Sequence, residues 1–184
     1  HMTGIIAKAA EFAEKAHSGA FRKGTTIPYI THPLEAAVIM SMMTDDEEMV
    51  AAALLHDTME DAGVTYGELE AAFGARVADL VAEESEDKSK TWQERKSATI
   101  RRLETAGRDA RMLALADKLS NIRCIARDYL LEGERVWERF RVRDKKRQAW
   151  YYTSMEQIFS EFSEMPQYRE YAALCRQVFG TAVS

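Results

Sequence analysis

The chain has 184 residues, 46% of them hydrophobic and 30% charged, enough to bury a core, which excludes disorder and fibrous repetition. Thirty acidic residues against twenty-five basic ones leave a formal charge of −5, so no overall positive field exists and generic nucleic-acid binding is not expected. Cys124 and Cys175 form no C-x-x-C pair, which excludes a disulfide framework or a thiolate zinc site and fits a reducing, cytoplasmic setting.

His1-Met2 reads as a short extension before the native start, and the charges of Lys8, Glu11, Glu14 and Lys15 rule out a secretory signal behind it. Ile5, Ala9, Phe12, Ala13 and Ala16 recur at three and four, which predicts a helix over 3–18. Residues 19–32, with Gly19, Gly24, Thr25, Thr26 and Pro28, form the longest non-helical connection; it exceeds the roughly 2–8 residues usual between packed helices, and such loops tend to carry function. Helices are expected next at 33–43, opened by Pro33, and at 45–62, where Asp45-Asp46-Glu47-Glu48 suits a start favoured by the helix dipole. The apolar run from Leu34 to Met43 is broken by Glu35 and Ser41 and reaches only half of the roughly 20 residues a membrane helix needs, so no membrane partner is expected. Thr65-x-x-Glu68 and Thr91-x-x-Glu94 have capping-box spacing and open helices at 65–73 and 91–106, with another at 75–84. Helices at 108–130, 134–141, 144–164 and 168–179 complete the chain, with Gly63, Gly74, Gly107 and Gly133 as stops or turns. The reading is an all-α domain spanning 4–184, without internal repeat or linker.

Chemistry concentrates where apolar runs end in ionisable residues. The run Ala51-Ala-Ala-Leu-Leu is headed for the core and ends in His56, Asp57, Glu60 and Asp61. A lone carboxylate there is strongly disfavoured, so Asp57 must be neutral, paired or bound to a cation. Met112-Leu-Ala-Leu-Ala-Asp117-Lys118-Leu-Ser-Asn121 repeats the pattern. Two carboxylates heading inward need a shared positive partner, and a metal ion supplies one, with His32 and His56 adding imidazole nitrogens. Two nitrogens and two oxygens without thiolate suit Mn²⁺, Fe²⁺ or Zn²⁺. On a continuous helix Glu60 lies four residues after His56 and Asp61 four after Asp57, on the ligand-bearing side, where they can handle a nucleophilic water. Taken singly each residue has a plainer reading: His56 as a core histidine bonded to a carbonyl, Asp57 and Asp117 as ion pairs with Lys118 or arginines. The combination is what points to a metal.

These motifs resemble the HD-domain metal phosphohydrolases, and within them the hydrolase domain of the RelA/SpoT-type alarmone enzymes and the stand-alone small alarmone hydrolases. Arg22-Lys23, Pro28-Tyr29-Ile30-x-His32-Pro33, Ala52-Ala-Leu-Leu-His56-Asp57-x-x-Glu60-Asp61, Phe73-Gly74-x-x-Val77 and Leu115-Ala-Asp117-Lys-Leu-Ser-Asn121 stand in the family's order and spacing, over about residues 5–130. The resemblance implies a helical HD-domain bundle that removes the 3′-pyrophosphate from guanosine 3′,5′-bis(diphosphate), ppGpp, or its pentaphosphate relative. It implies Mn²⁺ on His32, His56, Asp57 and Asp117, with Glu60 and Asp61 as the catalytic pair. Arg22, Lys23 and Asn121 match nucleotide-contacting positions. No histidine follows His56, whereas the dinuclear relatives use further ones, so one ion per subunit is expected. The implied partner is a small nucleotide, and assembly into a homo-oligomer is compatible with it. The same metal site would also serve an adenine alarmone, NADPH or a nucleoside 5′-monophosphate, and a regulator with an inactive site is the alternative from another class.

Residues from about 131 onward depart from the better-known relatives, as does Glu83-Glu-Ser-Glu-Asp-Lys-Ser-Lys90, which reads as governing access more than chemistry. His17 is either a residue supporting a ligand or the Arg22 loop, or a hydrogen-bonded helix-end histidine. Arg135, Arg139, Arg141, Arg143, Lys145, Lys146 and Arg147 form a basic segment that reads first as a solvated face partnered by Glu134, Glu138 and Asp144, and second as phosphate capture at the site's mouth. Trp150, Tyr151, Tyr152, Met155, Ile158, Phe159 and Phe162 follow helical spacing and read as core.

Overall fold

The computed structural model describes residues 4–140 and 143–180. Helix α1 (Ile5–Ala16) turns Ala9 and Ala13 fully inward, and these small side chains let it lie close against α3 (Glu47–Leu55), where Ala51, Ala52 and Ala53 are equally buried. Between them α2 (Thr31–Met43) carries Pro33 in its first turn, where a missing N–H breaks no helical bond. Helix α3 opens as expected from its acids: the Asp46 carboxylate accepts the Glu48 N–H at 3.1 Å, with Glu47 and Glu48 in the first turn.

The predicted 45–62 helix is not continuous. It stops at Leu55, turns through His56 and Asp57, and resumes as α4 (Thr58–Ala62). The buried Thr58 hydroxyl donates to the Leu55 carbonyl at 2.7 Å, so a side chain takes that carbonyl at the break. Periodicity does not register the break because His56 keeps helical dihedrals and Asp57, at φ −100°, ψ −1°, departs from them by less than a full change of region. Gly63 then ends α4 at φ +69°, a left-handed conformation that suits glycine.

Helices α5 (Tyr66–Phe73) and α6 (Ala75–Glu84) pack as a pair, and α7 (Trp92–Thr105) comes after a polar loop. Both capping boxes form, on Thr65 with Glu68 and on Thr91 with Glu94. Helix α8 (Arg108–Glu132) has 25 residues, about 37 Å at 1.5 Å per residue. It packs on α2, α3 and α6 and on α10 (Pro166–Phe179), while α7 packs on α9 (Lys145–Ile158). The predicted 134–141 helix is a 3-10 segment over Gly133–Arg139, with residue 141 outside the described residues, and the end of 144–164 is a 3-10 turn, Phe159–Phe162.

The aromatic run is core: Tyr151, Tyr152, Met155, Phe159 and Phe162 are buried, and only Trp150 is well exposed. Three members of the basic segment are ion-paired, Lys145 with Glu134 at 2.9 Å, Arg139 with Asp128 at 2.7 Å and with Glu132, Arg147 with Asp144 at 3.8 Å; Arg141 lies outside the described residues. Among the described residues the structure is helical apart from one isolated antiparallel bridge, Phe21 to Pro28, and no helix is long and apolar enough to cross a membrane.

Candidate metal centre and active site

Three pieces of backbone deliver the four predicted ligands: the first turn of α2 brings His32, the α3–α4 break brings His56 and Asp57, and the middle of α8 brings Asp117. His32, His56 and Asp117 are all at least 95% removed from solvent. His56 Nδ1 lies 2.6 Å from the Ala53 carbonyl, which can only accept, so Nδ1 carries the proton. His32 Nδ1 lies 2.8 Å from Ser120 Oγ, whose single hydrogen is committed to Glu35 Oε1 at 2.5 Å, so this Nδ1 is a donor too. In its neutral form each ring therefore presents an Nε2 lone pair, and the two Nε2 atoms are 3.2 Å apart.

Asp117 Oδ1 stands 3.0 Å from His32 Nε2 and 3.1 Å from His56 Nε2; Asp57 Oδ2 stands 3.5 and 3.1 Å from the same atoms. Ligands held at ~2.1 Å around one ion are about 3.0 Å apart at right angles and about 3.4 Å apart in a tetrahedron. His32, His56 and Asp57 lie close enough together to hold a metal ion, and Asp117 Oδ1 stands beside both imidazoles. The electrostatics of the four ask for a cation. Burial pushes His56 down, but Asp57 and Asp117 outweigh it and hold the imidazole well above its usual range. Burial likewise raises Asp57 and Asp117, yet the two imidazoles beside Asp57, and Lys118 with the imidazoles beside Asp117, hold both carboxyls well below theirs.

Asp57, Glu60 and Asp61 form a second cluster, their nearest oxygens all within 4.8 Å of one another. Burial, helped by Asp61 and Asp57, raises Glu60 above the usual carboxyl range against the Glu86 main-chain N–H, which is donated to Glu60 Oε1 at 2.6 Å. Asp61 Oδ1 accepts from Lys88 Nζ at 2.6 Å. The Tyr29 hydroxyl donates to Asp57 Oδ2 and lies 3.5 Å from Asp61 Oδ2. Tyr29, Asp57, Glu60, Asp61 and Glu86 line a cavity of about 190 Å³ with Lys96, Lys118 and Asn121.

The same three side chains also line an adjoining cavity of about 350 Å³, where Arg22 and Lys23 meet Trp92, Phe140, Tyr151 and Tyr152. The long α1–α2 connection folds back on itself to serve both chambers: the Arg22 N–H bonds the Ile27 carbonyl at 2.8 Å and the Tyr29 N–H the Ala20 carbonyl at 2.9 Å. Arg22 and Lys23 thus stand over one cavity while Tyr29 reaches the other. Lys96 and Lys118 approach the Tyr151 ring, 5.0 and 5.5 Å from its centroid. A larger cavity, about 1260 Å³, lies among α7, α9 and α10 and contains none of the predicted site residues, so size does not mark the site.

Eight of the nine predicted site residues line this pair of cavities; His56, 1% exposed, is buried against Asp57 and Asp117. Reasoning from sequence missed the residues behind them. Ser120 comes three positions after Asp117 on α8, on the same face, and Glu35 is the carboxylate that interrupts the apolar run of α2; both were visible signals. Tyr29 lies three residues before His32 and carried no expected role. Lys88 and Glu86 lie in the polar loop read as governing access, and the structure instead takes that loop to Glu60 and Asp61. His17 is buried at the end of α1, its ring 4.9 Å from that of Tyr29 and its Nε2 without a hydrogen-bond partner; burial holds its pKa down.

Residues 9–145 match the HD domain family. The chain belongs to the HD-domain family. That match runs from α1 to the first residue of α9 and contains His32, His56, Asp57 and Asp117 together with Glu60 and Asp61. HD-domain relatives include the Danio rerio protein named guanosine-3′,5′-bis(diphosphate) 3′-pyrophosphohydrolase MESH1, 38% identical over 130 residues, which are 68% of this chain and 71% of that one. The Homo sapiens protein of the same name is 39% identical over 127 residues, 66% of this chain and 70% of that one. Among solved structures, a Listeria monocytogenes EGD-e protein superposes with a TM-score of 0.74 at 38% identity, over 80% of this chain and 98% of that one. A structure described as a metazoan ortholog of SpoT that hydrolyzes ppGpp superposes with a TM-score of 0.64 at 27% identity, over 88% of this chain and 97% of that one.

Proposed function

We propose that this HD-domain protein is a metal-dependent phosphohydrolase that removes the 3′-pyrophosphate of ppGpp or pppGpp, giving GDP or GTP and pyrophosphate. The observation that carries the reading is the pair of Nδ1-anchored imidazoles whose Nε2 atoms meet two carboxylates at 3.0–3.5 Å, beside a cavity that combines cationic side chains with aromatic rings. The activity for which the relatives are named supplies the substrate.

His32, His56, Asp57 and Asp117 would hold one ion. Two imidazole nitrogens and two carboxylate oxygens without thiolate suit Mn²⁺, with Fe²⁺ or Zn²⁺ as alternatives. When bound, such an ion supplies Lewis acidity, lowering the pKa of a water and drawing charge from phosphoryl oxygens. The rest falls to side chains. Glu60, with its pKa raised by burial, accepts the proton of the attacking water as its oxygen bonds to the phosphorus on O3′. The P–O3′ bond breaks, its electron pair stays on the ribose oxygen, and Glu60 returns the proton there. Tyr29 holds the Asp57 carboxylate, and Lys88 holds Asp61 at the cavity wall. Lys96, Lys118, Arg22 and Lys23 offset the substrate's charge, and Trp92, Phe140 and Tyr151 offer faces to the base, on which Arg22 can also stack. The free thiols Cys124 and Cys175 accord with a cytoplasmic setting.

The test is to load the protein with Mn²⁺ and supply ppGpp, its adenine counterpart, NADPH and a nucleoside 5′-monophosphate, separating products by anion exchange. Pyrophosphate release from ppGpp, abolished by chelator, is the expected result. Turnover of another compound alone would discard the substrate, and no turnover of any with metal bound would refute the hydrolase.

A further inference from the structure

A single loop reaches both carboxylates of the catalytic pair. The connection between α6 and α7 donates the Glu86 main-chain N–H to Glu60 at 2.6 Å and, two residues on, the Lys88 ammonium to Asp61 at 2.6 Å. The loop is tied down from behind. The Glu86 carboxylate turns to α7, where Oε2 accepts from the Thr99 hydroxyl at 2.7 Å and Oε1 from Lys96 at 2.9 Å, with Arg95 at 3.7 Å. The Glu86 side chain is only 11% exposed, and Thr99 is buried. Asp87 stiffens the next turn by accepting from the Ser89 N–H at 3.0 Å and its hydroxyl at 2.6 Å.

We propose that Glu86 is a positioning residue: its carboxylate pins the 85–90 loop to α7, so that its own main-chain N–H holds one oxygen of Glu60 and leaves the other turned to the reacting water. The proposal deepens the reading of Glu60 as proton acceptor and rests on it. A glutamate side chain at a cavity wall rotates freely unless a donor stops it, and an N–H is a stop only when its backbone is fixed. Side chains on the rigid α7 do the fixing. One of them, Lys96, also lines both cavities. That gives a distinct rival role, in which Glu86 merely withholds a cation from the substrate.

The two roles separate in kinetics. Mn²⁺-loaded wild type, Glu86→Ala, Glu86→Gln and Thr99→Val are compared on ppGpp, with metal content measured for each. Positioning predicts that Glu86→Ala lowers kcat about 10- to 100-fold with KM within about twofold and metal content unchanged. Glu86→Gln, which still accepts from Thr99, recovers much of the rate, and Thr99→Val gives a smaller loss of the same kind. An unchanged kcat, or a changed KM at full kcat, overturns the proposal. Independently of turnover, amide hydrogen exchange at position 86 is measured in wild type, Glu86→Ala and Glu60→Ala. Protection in wild type and its loss in both variants is expected; exchange in wild type as fast as at Asp87 overturns the proposal. A wild type that leaves ppGpp intact while position 86 is protected refutes the substrate reading and not the loop geometry.

Discussion

Replacing Ser120 with alanine removes one oxygen from behind the metal centre and nothing from its front. Ser120 is fully buried on α8, accepts the His32 Nδ1 proton at 2.8 Å and donates to Glu35 at 2.5 Å. Without it the His32 N–H has no acceptor in a dry pocket, a loss of about 1–3 kcal/mol for a buried unsatisfied donor. The ring loses the contact that fixes its tautomer and aims Nε2. Removing such supports weakens metal binding by about 10- to 100-fold, which corresponds to about 1.4–2.8 kcal/mol, the same range reached from the hydrogen bond. The helix does not suffer, since alanine is the better helix former. Titrating metal-free protein with Mn²⁺, with free ion tracked by electron paramagnetic resonance and helix content by circular dichroism, measures the effect. A dissociation constant within about twofold of wild type would refute the anchoring of His32 and the assignment of its Nε2 as a ligand atom.

Asp57→Ala should lose both metal and turnover, while Glu60→Gln keeps most of the metal and loses rate; equal metal contents and rates in wild type and Asp57→Ala would contradict the site. Arg22→Ala should raise KM with metal content unchanged, and an unaltered KM would remove Arg22 from substrate binding. Arg76 joins Asp46, Glu48 and Asp109 at 2.8–3.0 Å, tying the start of α3 to α6 and α8, and its loss should cost about 0.5–1 kcal/mol at neutral pH because all four groups are well exposed. Arg76 holds the Asp46 carboxyl below its ordinary value, so this stabilisation is present above the ordinary carboxyl pKa near about 4 and fades as pH falls through the lowered one. Melting temperatures of wild type and Arg76→Ala should therefore converge in acid, and a constant gap from neutral pH to about pH 2 would contradict the assignment.

The sequence displayed what depends on local rules. Two capping boxes, the acidic start of α3 and the glycine stops are interactions among neighbours a few residues apart, and each is where the residues say it is. The candidate ligands were legible as a group because each violates its own context, a carboxylate or imidazole at the end of a run otherwise bound for the core. The break at His56–Asp57 was not, since it turns on one hydroxyl, Thr58, choosing the Leu55 carbonyl. The supporting residues stayed hidden for a different reason. Glu35 and Ser120 are 85 positions apart, and Glu60 and the Glu86 N–H are 26 apart, so nothing local relates them. Backbone donors leave no trace in a side-chain pattern at all.

The paired cavities also resolve a tension in the charge. A molecule of net charge −5 has no long-range attraction for a polyanion, and beyond a Debye length of about 8 Å its surface charges are screened in any case. Recognition must come from cations at contact. Lys118 keeps its charge, because Asp117 and Tyr151 outweigh its burial and hold its pKa well up. Lys96 is the opposite: burial and the neighbouring Lys118 outweigh Glu86 and bring its pKa down. Two ammonium groups that line the same two cavities and approach the same Tyr151 ring would gain more from a phosphate within reach of both than either would alone, since the anion would satisfy both and remove their mutual cost. With a divalent ion on the proposed pair of carboxylate ligands the centre would be nearly neutral, and so would not repel an anion held by Lys96 and Lys118. Charge on this protein is therefore arranged by contact, and the acidic surface leaves it intact.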